Sequence, residues 1–127
     1  MKKQVLILTL FSAGLVYADV PPETRYEVDH LIEFVSNTPC QIDRNWTNHS
    51  GTKAIVHIQQ KYDYFKDNIQ TTEQFIEYSA AKSTMTGRDY LLKCKGQRSI
   101  KTRDWLKQEL QKYRAQRDSI NNGKGSP

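Results

Sequence analysis

Apolar residues recur three and four apart at Ile55, Ile58, Tyr62, Phe65 and Ile69, a spacing that predicts a helix between Thr52 and Ile69. Upstream, Pro21-Pro22-Glu23 leads into Val28, Leu31, Ile32 and Val35 at the same period, with Glu23 and Glu27 near the start, so a first helix is predicted to end before Pro39. Thr71-Thr72-Glu73-Gln74 has the form of a capping box, with Thr71 as N-cap, and opens a third, shorter helix whose face is Phe75, Ile76, Ser79 and Ala80. A fourth runs from about Thr102 to Arg117, with Leu106, Leu110 and Tyr113 on one face and Trp105 beside it. Between the helices, Cys40 to Trp46 alternates apolar and polar residues until Arg44 and reads as a short strand, while Thr47 to Gly51 is all turn residues and reads as a loop. Ser83 to Arg88 reads as a turn, and Tyr90-Leu91-Leu92-Lys93-Cys94 as a second strand. The pattern gives one small α+β domain over residues 19–117, about four helices with a two-stranded antiparallel ribbon. Residues 118–127 are expected to form a disordered tail, since they have almost nothing to bury.

The first eighteen residues follow another logic. Lys2 and Lys3 precede an apolar run from Val5 to Val16, and Val16-Tyr17-Ala18 fits a cleavage site, so residues 1–18 read as a secretory signal. The run falls short of the roughly 20 residues a spanning helix needs, and no second hydrophobic run follows it. The first cysteine, Cys40, lies far from the cleavage site, which argues against a lipid anchor. The expected location is the periplasm of a Gram-negative cell, with full secretion as the alternative. In an oxidising compartment Cys40 and Cys94 are disulfide candidates, two buried free thiols being the other possibility. Asn45-Trp46-Thr47 and Asn48-His49-Ser50 match the glycosylation sequon, which a bacterial signal makes accidental.

A chain of 127 residues excludes a multidomain enzyme, and 19 Lys+Arg against 14 Asp+Glu give it a formal charge of +5. That charge is uneven: residues 93–117 hold Lys93, Lys95, Arg98, Lys101, Arg103, Lys107, Lys112, Arg114 and Arg117 against only Asp104 and Glu109. This basic quarter is either a solvated helix face or a salt-sensitive contact for an anionic surface. In the periplasm the available partners are a protein or an anionic envelope component, not nucleic acid.

Residue chemistry narrows the function less. His57 and Lys61 sit four apart on the second helix with Tyr64 continuing their row, and an amine beside an imidazole disfavours its protonated form. Ser83, Thr84 and Thr86 supply hydroxyls beside Gly87 without a Gly-x-Ser-x-Gly elbow. His30, His49 and His57 form no metal-binding spacing, Asp29 and Glu33, which flank His30 on the first helix, are expected to face solvent, and no phosphate loop, dinucleotide fingerprint or C-x-x-C is present. No cofactor is expected. Arg44, Asn45, His57, Lys61 and Ser83 are the candidate polar patch, where the strand, the long helix and the Gly87 turn would converge. The leading expectation is an envelope-associated binding module without catalysis. The alternatives are a small hydrolase of an envelope polymer, with His57 as base and Lys61 or Arg44 steadying an anionic oxygen, and a secreted enzyme inhibitor.

His57-Ile58-Gln59-Gln60-Lys61, the run from Asn68 to Ile76 and the run from Ser83 to Tyr90 resemble the YfeK-like family of small exported Gram-negative proteins, a domain of unknown function. The resemblance covers roughly residues 24–110. It implies a periplasmic address, and it implies that Arg44, Asn45, His57, Lys61, Glu73, Phe75, Ser83, Gly87 and Tyr90 match the family's pattern. The chain departs from that pattern at Trp46, where the family tends to have glycine after Arg-Asn.

Overall fold

A computed structural model describes residues 20–123; the signal expected at residues 1–18 and the last four residues lie outside them. The element order is α1 (Pro22–Ser36), β1 (Gln41–Arg44), β2 (Thr47–Ser50), α2 (Gly51–Tyr64), a 3-10 turn (Lys66–Asn68), α3 (Thr72–Phe75), a π-helical turn (Ile76–Ala80), β3 (Leu91–Lys93), β4 (Ile100–Lys101) and α4 (Thr102–Gly123). The strands form one antiparallel sheet in the order β2-β1-β3-β4. The domain is α+β with four α-helices, and its sheet has four strands rather than two.

The two unforeseen strands share a cause. β2, Thr-Asn-His-Ser, is an edge strand lying mostly in solvent, so it carries no apolar alternation to betray it. β4 is two exposed residues long. Pairing, not burial, makes both of them strands.

The core lies between the helices and the sheet. Ile42 and Leu92, cross-strand partners in β1 and β3, are buried with Val28, Leu31 and Val35 of α1, Ala54 and Ile58 of α2, Phe75 and Ile76, and Leu106 and Leu110 of α4. The sets on α1, α2 and α4 repeat at three or four, as an inward stripe must. The capping box at α3 is complete: Thr71 Oγ1 accepts from the Gln74 N–H, and the Gln74 side chain accepts from the Thr71 N–H. Ile69, expected inside the second helix, instead lies beyond the 3-10 turn in extended backbone, fully buried. At the other end, α4 continues to Gly123, past the Arg117 end expected for it, because its last turns remain wound although they lie in solvent.

Cys40 and Cys94 form a disulfide, with Cα atoms 4.6 Å apart. Gln41 pairs with Lys93 in the β1–β3 ladder, so the cysteines are the next opposing pair along it. The basic quarter is largely spent inside the domain. Arg114 and Arg117 pair with Glu27, Arg114 also with Glu73, Arg103 with Glu77 and Asp89, Lys101 with Asp89, Lys107 with Glu77, and Lys93 with Asp43. The acidic first three-quarters of the chain and its basic last quarter neutralise each other across α4.

Candidate binding site

β1 and β2 are joined by Asn45 and Trp46 alone, and both have positive φ, 50° and 68°. A two-residue hairpin turn of this hand matches the twist of its strands but requires left-handed backbone at both positions, which is why Asn-Gly is its usual sequence. Asn tolerates that backbone, whereas Trp46 adopts it at a cost of about 1–2 kcal/mol. Its N–H is anchored by Asp43 Oδ1 at 2.8 Å. The indole is 72% exposed, with the Arg88 guanidinium 4.1 Å above its ring.

The second component is the excursion between Lys82 and Asp89, which face each other in an isolated antiparallel bridge. Ser83 N–H donates to the Arg88 carbonyl, and Gly87 N–H to the Ser83 carbonyl, with Gly87 at φ 73° closing the turn. The side chains then clasp the hairpin. Asn45 Nδ2 donates to Ser83 Oγ at 3.1 Å, Thr86 Oγ1 donates to Asn45 Oδ1 at 2.9 Å, and the Thr86 N–H reaches Ser83 Oγ at 3.3 Å. Met85, beside the clasp, is 96% exposed.

Asp43, only 2% exposed, holds the far side of this junction through Lys93 Nζ at 3.0 Å and Arg88 Nη2 at 3.7 Å. Burial raises the pKa of its carboxyl, but Lys93, the Trp46 N–H and Arg88 together keep it below the usual aspartate value. Asp43 thus positions Trp46 and Arg88 together.

Of the five patch residues, Asn45 and Ser83 bond each other in the clasp, Arg44 and Lys61 meet at Tyr90, and His57 lines a cavity with Arg44 and Tyr90. Arg44 and Lys61 lie 5.6 Å and 5.1 Å from the centroid of its ring, and Lys61 Nζ donates to the Lys82 carbonyl at 2.7 Å and toward Tyr90 Oη at 3.4 Å. His57 lies close to His49, with ring centroids 6.2 Å apart. Burial, followed by the charges of Arg44 and Lys61, lowers the His57 pKa; His49 is lowered by burial and by Arg44 and Lys53. Protonation of both imidazoles is thus disfavoured relative to a free histidine. Tyr64, next along their row, is largely exposed, with its ring edge-on to Phe65. Asp29 and Glu33 face solvent as expected, while His30 between them stacks on Tyr113 at 4.3 Å and meets Glu109, tying α1 to α4.

Ser83 Oγ accepts from Asn45 Nδ2 and from the Thr86 N–H, and Lys61 Nζ donates to a backbone carbonyl, so both side chains help to fix the turn against its neighbours. Trp46, Arg88 and Asp43 were not candidates from sequence. The available signal was Asn45-Trp46 directly after the alternating stretch that ends at Arg44, a two-residue turn with an unusual second residue.

Residues 22–114 match the profile of a family of unknown function, DUF5329. Neither a curated protein nor a solved structure matches the chain.

Proposed function

Because the chain belongs to the DUF5329 family, whose role is not known, its function has to be read from its own surface, and we propose that it is a non-catalytic binding module. The observation that carries this reading is Trp46, held in left-handed backbone at a hairpin tip, largely exposed and stacked under Arg88. Backbone strain persists only where surrounding structure enforces it, and it gathers at functional sites. Here Asp43, Asn45, Ser83 and Thr86 enforce it, and the product is a rigid aromatic beside an arginine and an exposed Met85. Trp, Arg and Met are the residues enriched in protein contact surfaces, so the partner is a protein.

The setting proposed is the Gram-negative periplasm, as the resemblance to the YfeK-like family implies. Two features support it: the signal-like residues 1–18 and the disulfide, which persists in an oxidising compartment.

The test is photo-crosslinking in cells from a probe amino acid at position 46, with position 120 on the exposed end of α4 as control. The reading predicts one dominant protein adduct from position 46 and none from position 120. Equal labelling from both positions, or none from a folded and exported protein, overturns it.

A further inference from the structure

Beneath the patch lies a small enclosed cavity of about 10 Å³, room for one water-sized group. Most of its wall is apolar, from Val35, Ile42, Ile58 and Leu106. Its polar wall comes from Arg44, His57 and Ser79. Nε and Nη1 of Arg44 are buried and meet no hydrogen-bond acceptor among the described residues, and the same is true of Oγ of Ser79, which is fully buried. The two residues that carry these three unpaired atoms therefore line one cavity. Buried polar groups in proteins are nearly always hydrogen-bonded, and a buried charge without a partner costs more than a neutral group.

The surroundings carry one sign of charge. Asp43, next to Arg44 in sequence, is engaged by Lys93 and Arg88. Arg44 and Lys61 share the Tyr90 ring, and the nearby side chains His57 and His49 supply no anion. Thr102, also in the wall, spends its hydroxyl on the carbonyls of Ala80 and Tyr90. Ser79 is placed by the π-helical turn Ile76–Ala80, an irregularity that recurs at functional sites.

From the shared cavity, the unpaired Arg44 N–H groups and Ser79 hydroxyl, and the guanidinium without a carboxylate partner, we propose that Arg44 and Ser79 form a binding site for a single chloride-sized anion. The anion accepts from Arg44 Nε and Nη1 and from Ser79 Oγ. It neutralises Arg44 beneath the hairpin that carries Trp46. The site is independent of the contact surface, since its test needs only purified protein.

Trp105 also lines the cavity, and the chain has one other tryptophan, Trp46. Trp46→Gly thus leaves Trp105 as the sole reporter. Bromide titrated at constant ionic strength, with sulfate as the balancing salt, is expected to quench Trp105 with a saturating component that chloride reverses. Ser79→Ala, a conservative change at a site with no partner to lose, should weaken that component about tenfold, and Arg44→Gln about ten- to a hundredfold, as expected for hydrogen bonds to a charge. Quenching that stays linear in bromide, or an affinity unchanged in Ser79→Ala, overturns the site.

Discussion

Two residues hold unusual positions, and each makes a measurable claim. At Trp46 the strain of left-handed backbone opposes the stacking of Arg88, so Trp46→Ala and Trp46→Gly separate the two. Both variants lose the stack, but only glycine loses the strain. Trp46→Gly is expected to be more stable than Trp46→Ala by about 1 kcal/mol in urea unfolding; equal stability would show that the turn is not strained. Glu27 is the second. It is only 4% exposed, and Arg114 above all, then Thr72 and Arg117, hold its carboxyl at about pKa 2 against the opposing effect of burial. Glu73 shares Arg114 with it. Because the folded-state value is depressed, the stabilisation is fully present above the unfolded-state value of 4.5 and is lost as pH falls toward 2. A shift of that size is worth about 3 kcal/mol. Glu27→Gln should lower stability at pH 7 and flatten the dependence between pH 5 and pH 2, as thermal melts across that range would record.

Among the elements, close approach decides the α1–α2 corner. Gly51 begins α2, and a Cβ there would meet the Val35 carbonyl oxygen at 2.1 Å. Gly51→Ala must push the two helices apart and is expected to cost about 2–3 kcal/mol; a calorimetric melting temperature within a degree of wild type would refute the contact. In sequence Gly51 looked like an ordinary turn residue, because the pattern along the chain says nothing of what another helix brings near. The same limit explains the elements that went unread. Helices with an inward stripe, such as Val28, Leu31 and Val35, announce themselves, and so does the capping box at Thr71. β2 has no buried face and hence no period. Cys94 and Cys40 could be paired by compartment, but their place as opposing residues of the ladder needs the register of β1 and β3. Of the site, Arg44, Asn45 and Ser83 were legible as polar residues near predicted turns, and His57 and Lys61 as a polar pair four apart on the predicted long helix. Trp46 was noticed only as a departure, Arg88 only as the end of a turn, and Ser79 only as part of an apolar face. What joins them is contact across 30 to 40 positions of sequence, as between Asn45 and Ser83.

At the scale of the whole molecule, charge and covalent closure hold the two halves of the chain together. The acidic residues Glu27, Glu73, Glu77 and Asp89 face the basic side chains of α4 and β4, so the net positive charge does not by itself mark an anion-binding surface. The Cys40–Cys94 disulfide closes a loop of 54 residues, worth about 4 kcal/mol as lost entropy of the unfolded chain. Replacing both cysteines with serine is expected to lower unfolding stability by about that much while leaving the fold intact under native conditions; unchanged stability would contradict it. With the two halves so fixed, the hairpin tip and the Ser83–Arg88 turn form one rigid surface. The central claim is that this surface holds a protein partner. Its most direct test is photo-crosslinking in cells from a probe at Met85, comparing the wild-type chain with Arg88→Ala, since Asp43 keeps Lys93 in that variant and the fold is retained. The account predicts a dominant protein adduct in wild type that falls at least tenfold in Arg88→Ala at equal protein level. An adduct of equal yield in both would contradict it.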